Sequence, residues 1–187
     1  MTTHKKLILI RHGQTQFNVE GKVQGWCDSP LTMEGRQQMR QAGRVLKEKG
    51  IVPEHIYSSD LKRAMDSARI IAPQAQLFTV NALREYSFGA FDGKPGDTLP
   101  DWEQLPASGA ETLEACQSRV ASGLLAVLER EPVQAVVVSH GIVNSLVLAM
   151  AEHDQEPEFF SNGCMLVYDF DGHRLRLENI WNNESVT

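Results

Sequence analysis

Leu7-Ile8-Leu9-Ile10 is an unbroken aliphatic run that stops at Arg11-His12-Gly13, and Val136-Val137-Val138 stops in the same way at Ser139-His140-Gly141. Runs this short, bounded by turn signals and continuous rather than alternating, read as strands buried on both faces. Such strands need a covering layer on each side, which restricts the chain to strands alternating with helices. In open sheets of this kind ligands bind at the carboxyl ends of the strands. Two histidines delivered there by separate strands can face one pocket.

The rest of the chain alternates accordingly. Thr32 is a plausible N-cap for a periodic helix from Met33 to Lys49 that closes at Gly50. His55 to Ser58 reads as a second strand, and Ser59 or Asp60 as the cap of a helix that stops at Pro73. Leu77 to Val80 is a strand, Glu111 to Glu129 a helix, Ala135 to Ser139 a strand and Ile142 to Ala151 a helix. Met165 to Phe170 and Arg174 to Trp181 flank Asp171-Gly172 as a hairpin. The expected fold is a three-layer α/β/α sandwich over residues 1–187, one domain, with a mostly parallel sheet and an antiparallel edge. Between Arg84 and Ala110, glycines and prolines break every pattern, so about 86–110 is expected to form an irregular lid.

A formal net charge of −6 argues against a nucleic-acid or anionic-membrane surface, so any bound anion needs a local cationic cluster. Cys27, Cys116 and Cys164 are too scattered for a disulfide framework or a thiolate zinc site. The apolar run near the start is too short for a signal peptide, and a cytoplasmic setting is expected. Cys27 is expected to be a small buried hydrophobe. His4, His55, His153 and His173 have no spacing that suggests a ligand set.

Arg11 and His12 from one strand end, His140 from another, and Arg63 one turn into the helix after Ser58-Ser59 together make an electropositive socket. Guanidinium forks and helix N-termini suit a tetrahedral dianion. An imidazole in that socket can attack phosphorus, and Glu85 is the best-placed carboxylate to protonate the leaving oxygen.

These residues lie in longer blocks: Leu-Ile-Arg-His-Gly-Gln-Thr (9–15), Phe-Asn-x-Glu-Gly-Lys-x-Gln-Gly-Trp (17–26), Ser-Pro-Leu-Thr-x-x-Gly (29–35), Tyr-Ser-Ser-Asp-Leu-x-Arg-Ala (57–64), Leu-Arg-Glu-Tyr-Ser-Phe-Gly-Ala-Phe-Asp-Gly (83–93) and Val-Val-Val-Ser-His-Gly (136–141). In this order they resemble the phosphoglycerate-mutase-like branch of the histidine phosphatase superfamily. The resemblance implies that His12 is the phosphorylated nucleophile, that Arg11, Arg63 and His140 hold the phosphoryl group, and that Glu85 is the acid/base. It implies that Asn18 and Gln24 bind substrate, with Gly141 and Tyr86 counted beside them, and that no metal or other cofactor takes part. The mutases of this branch carry several basic residues after the glutamate. Phe91 to Ala110 here holds one cation, Lys94, against Asp92, Asp97, Asp101 and Glu103.

The expected activity is therefore a metal-independent phosphomonoesterase acting on a small phosphorylated metabolite through phosphohistidine. The acidic lid is expected to favour substrates with no second anion. The alternatives are a cofactor-dependent phosphoglycerate mutase and a catalytically silent phosphate-binding module. A histidine-ligated metallohydrolase is poorly supported, because no third ligand is spaced to His12 and His140. Neither nucleic acid nor membrane is expected as a partner, and the sequence leaves the oligomeric state open.

Overall fold

In the computed structural model, residues 4–152 and 160–181 are described. Six strands form one sheet in the order β3-β2-β4-β1-β5-β6. β1 (Lys5–Arg11), β2 (His55–Ser58), β3 (Gln76–Thr79) and β4 (Gln134–Ser139) run parallel. β5 (Met165–Phe170) is antiparallel to β1, and β6 (Leu175–Trp181) pairs antiparallel with β5. The expected mixed sheet with an antiparallel edge is thus the one observed.

The unbroken aliphatic runs follow from the two-sided burial of the central strands. Along β1, Leu7 and Leu9 point into one apolar cluster while Ile8 and Ile10 point into the other, as strand alternation requires. The first cluster takes Val120, Leu124 and Val127 of α4 (Leu113–Arg130) and Val143 and Val147 of α5 (Gly141–Ala151). The second takes Met39, Ala42 and Leu46 of α2 (Met33–Glu48) and Ala64, Ala68 and Ile71 of α3 (Lys62–Ile71). Among the described residues no helix is long and apolar enough to cross a membrane.

Caps locate the helix starts. The Thr32 hydroxyl accepts from Gly35 N at 3.0 Å and opens α2, and Thr112 does the same for Ala115 at the head of α4. A short α1 (Gln16–Val19) is opened by a capping box between Thr15 and Asn18. The start of α3 departs from expectation, because neither Ser59 nor Asp60 caps it. Ser59 Oγ is engaged with His140, and Asp60 forms a fork with Arg84. The cap comes instead from Asp28, whose carboxylate accepts from Lys62 N at 2.7 Å and Arg63 N at 3.2 Å.

Candidate active site

β1 delivers Arg11 and His12 to the carboxyl edge of the sheet, and its parallel neighbour β4 delivers Ser139 and His140. Arg11 stands opposite Ser139 in the register, and His12 N–H donates to Ser139 O at 2.9 Å. The two imidazoles meet edge to face, 5.3 Å between centroids, and both are buried.

His12 Nδ1 lies 2.8 Å from Gly13 O. A carbonyl only accepts, so Nδ1 carries the proton and Nε2 keeps its lone pair. Burial, with Arg63 and Arg11 nearby, pushes the His12 pKa well below 6.5 against the opposing pull of the Gly13 carbonyl. The ring is neutral at pH 7, the form that can act as a nucleophile. His140 is pushed well below 6.5 by the same burial and by Arg63, His12 and Arg11. Its Nε2 is 2.7 Å from Ser59 Oγ. That contact holds the His140 ring against the end of β2.

The guanidinium groups are anchored from behind. Arg63 Nη1 donates to Cys27 O at 2.8 Å and Asp28 Oδ1 at 2.9 Å, and Nη2 donates to Gly25 O at 2.8 Å. Arg11 Nη1 donates to Phe160 O. Arg11 Nε and Arg63 Nε are buried N–H donors with no partner among the described residues, and His140 Nδ1 is buried without one beside them. A buried donor left unpaired costs about 1–3 kcal/mol. A dianionic phosphoryl group, with several acceptor oxygens, is the chemistry that satisfies such a set.

Glu85 is 9% exposed and lies on the cavity wall. Its Oε1 accepts from Tyr86 N at 2.9 Å and its Oε2 from Ile142 N, in the first turn of α5, at 3.3 Å. Its backbone is clamped as well, since Glu85 O accepts from Trp26 Nε1 at 2.8 Å and Arg119 Nη2 at 2.9 Å. Arg119 also donates to Ala82 O, Arg84 O and the Glu111 carboxylate, so one side chain from α4 fixes the whole approach to Glu85.

A cavity of about 210 Å³ brings Arg11, His12, Asn18, Gln24, Arg63, Glu85 and Gly141 together. Asn18 Oδ1 accepts from Thr15 N, Thr15 Oγ1 and Asn162 Nδ2, which leaves its Nδ2 for the cavity. Gln24 Oε1 accepts from Ser29 Oγ at 3.3 Å. Tyr86 does not join them. It is 1% exposed, packs on Phe88 and Trp102, and donates its hydroxyl to Glu111 O. Glu85 is on the cavity wall while the next side chain, Tyr86, is buried in the first apolar cluster.

Cys27 is exposed rather than buried, because the Cys27 carbonyl, not the thiol, is the group turned inward toward Arg63. The acidic residues of 91–110 do not line the cavity either. Asp92 accepts from Phe88 N and Trp26 N, and from that segment Gly96 alone is on the wall. The premise of an anion-repelling lid therefore fails. His4 pairs with Asp169 and His55 with Glu131, His173 is exposed, and His153 lies outside the described residues. Among the described residues no group of three His, Cys, Asp or Glu side chains is placed to hold a metal ion.

Sequence reasoning missed Lys22, Phe88 and Ile142 on the wall, and Asn162, whose Nδ2 donates to His12 O at 2.9 Å. Asn162 had one available signal: a Ser-Asn-Gly turn leading into a strand antiparallel to β1 must begin beside the end of β1.

The profile of the histidine phosphatase superfamily (branch 1) matches residues 7–183. A probable phosphoglycerate mutase GpmB from Enterobacter sp. (strain 638) is 35% identical over 152 residues, 73% of this chain and 70% of that protein. The crystal structure of phosphoglycerate mutase from Bacillus anthracis superposes with a TM-score of 0.86 at 22% identity, covering 97% of this chain and 95% of the other. Phosphoserine phosphatase from Entamoeba histolytica, solved as a histidine-to-alanine variant with phosphoserine, gives a TM-score of 0.81 at 25% identity over 98% and 100% of the two chains. The fold, the two strand-end histidines and these likenesses agree: the chain belongs to the histidine phosphatase superfamily, branch 1, and is phosphoglycerate-mutase-like.

Proposed function

We propose that the protein is a phosphomonoesterase that hydrolyses a small phosphorylated metabolite in two in-line steps through His12. In the first step His12 Nε2 attacks phosphorus, the bond from phosphorus to the ester oxygen breaks, and Glu85 gives that oxygen a proton. In the second, water attacks phospho-His12 and returns its proton to Glu85, releasing phosphate and neutral His12. Arg11, Arg63 and His140 stabilise the charge on the equatorial oxygens in both steps. Asn18, Gln24 and the Gly141 backbone position the group. The residues supply every proton and the nucleophile, so the scheme needs no further cofactor.

The observation that favours hydrolysis over phosphoryl return is the cation count on the wall. Besides Arg11 and Arg63, Lys22 is the one Lys or Arg residue on the cavity wall among the described residues, and its ammonium is paired with Glu20. A bisphosphorylated primer would bring a second dianion with no second cationic cluster to receive it. The mutase names among the relatives make phosphoglycerate mutase the rival reading. The three cysteines are free, in keeping with a reducing, cytoplasmic setting.

The test is phosphate release by purified protein in excess chelator from phosphoglycerates, sugar phosphates, nucleotides and an aryl phosphate, with His12→Ala alongside. Release lost in the variant is the expected result. Interconversion of 2- and 3-phosphoglycerate outrunning release would favour the mutase, and tight binding with no turnover across the panel would favour a silent binding module.

A further inference from the structure

Trp26 stands between the two backbone carbonyls that anchor Arg63. Gly25 O accepts from Arg63 Nη2 and Cys27 O from Arg63 Nη1, each at 2.8 Å. The residue between them reaches the segment that carries Glu85. Its indole Nε1 donates to Glu85 O at 2.8 Å, and its own N–H donates to Asp92 Oδ2 at 3.0 Å. Gly25 leaves the room this needs: its φ is +49°, and a Cβ there would stand 1.7 Å from Asp92 Oδ1. The ring is held too, with the Arg84 guanidinium 4.9 Å from its centroid and forked onto Asp60 at 2.7 and 2.6 Å. The indole is 43% exposed and does not line the cavity, so its burial is modest and it meets no substrate there.

Glu85 O also accepts from Arg119, which ties the acid to α4 and not to the loop around Arg63. The indole N–H is the one hydrogen bond that joins Glu85 to residues 24–28. From this placement we infer that Trp26 is a positioning residue: it sets the Glu85 carboxyl at a fixed distance from the phosphoryl group that Arg63 holds. The leaving oxygen is one bond from phosphorus, so the proton donor must stand within hydrogen-bond reach of it. An error of about 1 Å in such an arrangement can cost about 10²-fold. The inference rests on the phosphomonoesterase reading above and adds a residue that touches neither substrate nor the reacting atoms.

Trp26→Phe keeps a ring under Arg84 and removes the indole N–H. The probes are glycerol 3-phosphate, whose leaving alkoxide needs a proton, and para-nitrophenyl phosphate, whose leaving oxygen does not. In Trp26→Phe, kcat/KM for the alkyl ester should fall about tenfold while the aryl ester changes less than about twofold. In a Glu85→Gln background the same substitution should cost nothing further on the alkyl ester, because the group it positions is gone. Equal losses on both probes, no loss on either, or a further tenfold loss in the Glu85→Gln background overturns the assignment. If Trp26→Phe does not fold, Asp92→Asn, which loosens the Trp26 N–H from the other side, is read by the same criteria. Orthovanadate keeps the two proposals apart, since its trigonal-bipyramidal form puts an apical oxygen where the leaving group would stand and its Kd needs no turnover. A Kd weakened about tenfold in Trp26→Phe, with no ester hydrolysed by wild type, sinks the phosphomonoesterase and keeps the positioning residue. Hydrolysis lost in His12→Ala but equal to wild type in Trp26→Phe does the reverse.

Discussion

Two neutral imidazoles buried together make the stability of this protein depend on pH in a window where few other groups titrate. In the folded state His12 and His140 are held well below 6.5, chiefly by burial, whereas in the unfolded chain each titrates near 6.5. Between those limits the unfolded state binds more protons, so stability is full above pH 6.5 and falls as the pH drops. Once the unfolded imidazoles are protonated, each contributes a slope of about 1.4 kcal/mol per pH unit. Between about pH 7.5 and 5.0 the loss reaches up to about 2 kcal/mol for each histidine and about 4 for the pair, a large part of the ~5–15 kcal/mol of a typical domain. Above about pH 5 most carboxylates contribute little to this slope. The assay is urea unfolding at the two pH values for wild type, His12→Gln, His140→Gln and the double variant. Comparing each protein with itself cancels the packing cost of the substitution. Each single variant should lose up to about 2 kcal/mol less than wild type across the window. A double variant as pH-sensitive as wild type would refute the reasoning.

Other substitutions test particular contacts. Glu85→Gln should lower kcat on alkyl phosphates by about 10²–10⁴ and far less on an aryl phosphate, whose leaving oxygen needs no proton; equal losses on both would remove Glu85 from proton transfer. Asp28→Ala removes both the α3 cap and the carboxylate beside buried Arg63. It should cost about 2–4 kcal/mol in thermal unfolding and raise KM, and a loss under about 0.5 would show that neither contact matters. Gly35→Ala would ordinarily help a helix by about 1 kcal/mol. Here the added Cβ would stand 2.0 Å from Gln14 O, so destabilisation of about 2–3 kcal/mol is expected, and a rise in Tm would show that the loop can yield.

The parts of the molecule legible in the sequence are those governed by local rules. Continuous aliphatic runs specified the central strands, Thr32 and Gly50 bracketed α2, and the strand-end positions of His12 and His140 followed from topology alone. What escaped was set by contacts between distant segments. The α3 cap belongs to Asp28 because Ser59 and Asp60 are claimed by His140 and Arg84, and no local pattern carries that competition. Tyr86 adjoins Glu85 in the chain, yet its hydroxyl is committed to Glu111 O and its ring to Phe88 and Trp102, contacts made across the fold. The acidic composition of 91–110 carries no direction, and Asp92 turns to backbone N–H groups instead of the cavity.

The in-register pairing of Arg11 with Ser139 has a consequence for how such a protein can diversify. Spacing between the two imidazoles is written into the ladder of the sheet, where a one-residue slip would move Leu7 and Leu9 into the opposite apolar cluster and carry His12 out of step with His140. Much of the cavity wall, by contrast, comes from Asn18 and 21–25, with Phe88 and Gly96, which the ladder does not constrain. The two histidines are thus fixed by the sheet, while much of the wall around them is independent of it. Substitutions in those loops can reshape the cavity while the spacing of the two imidazoles stays as the sheet sets it.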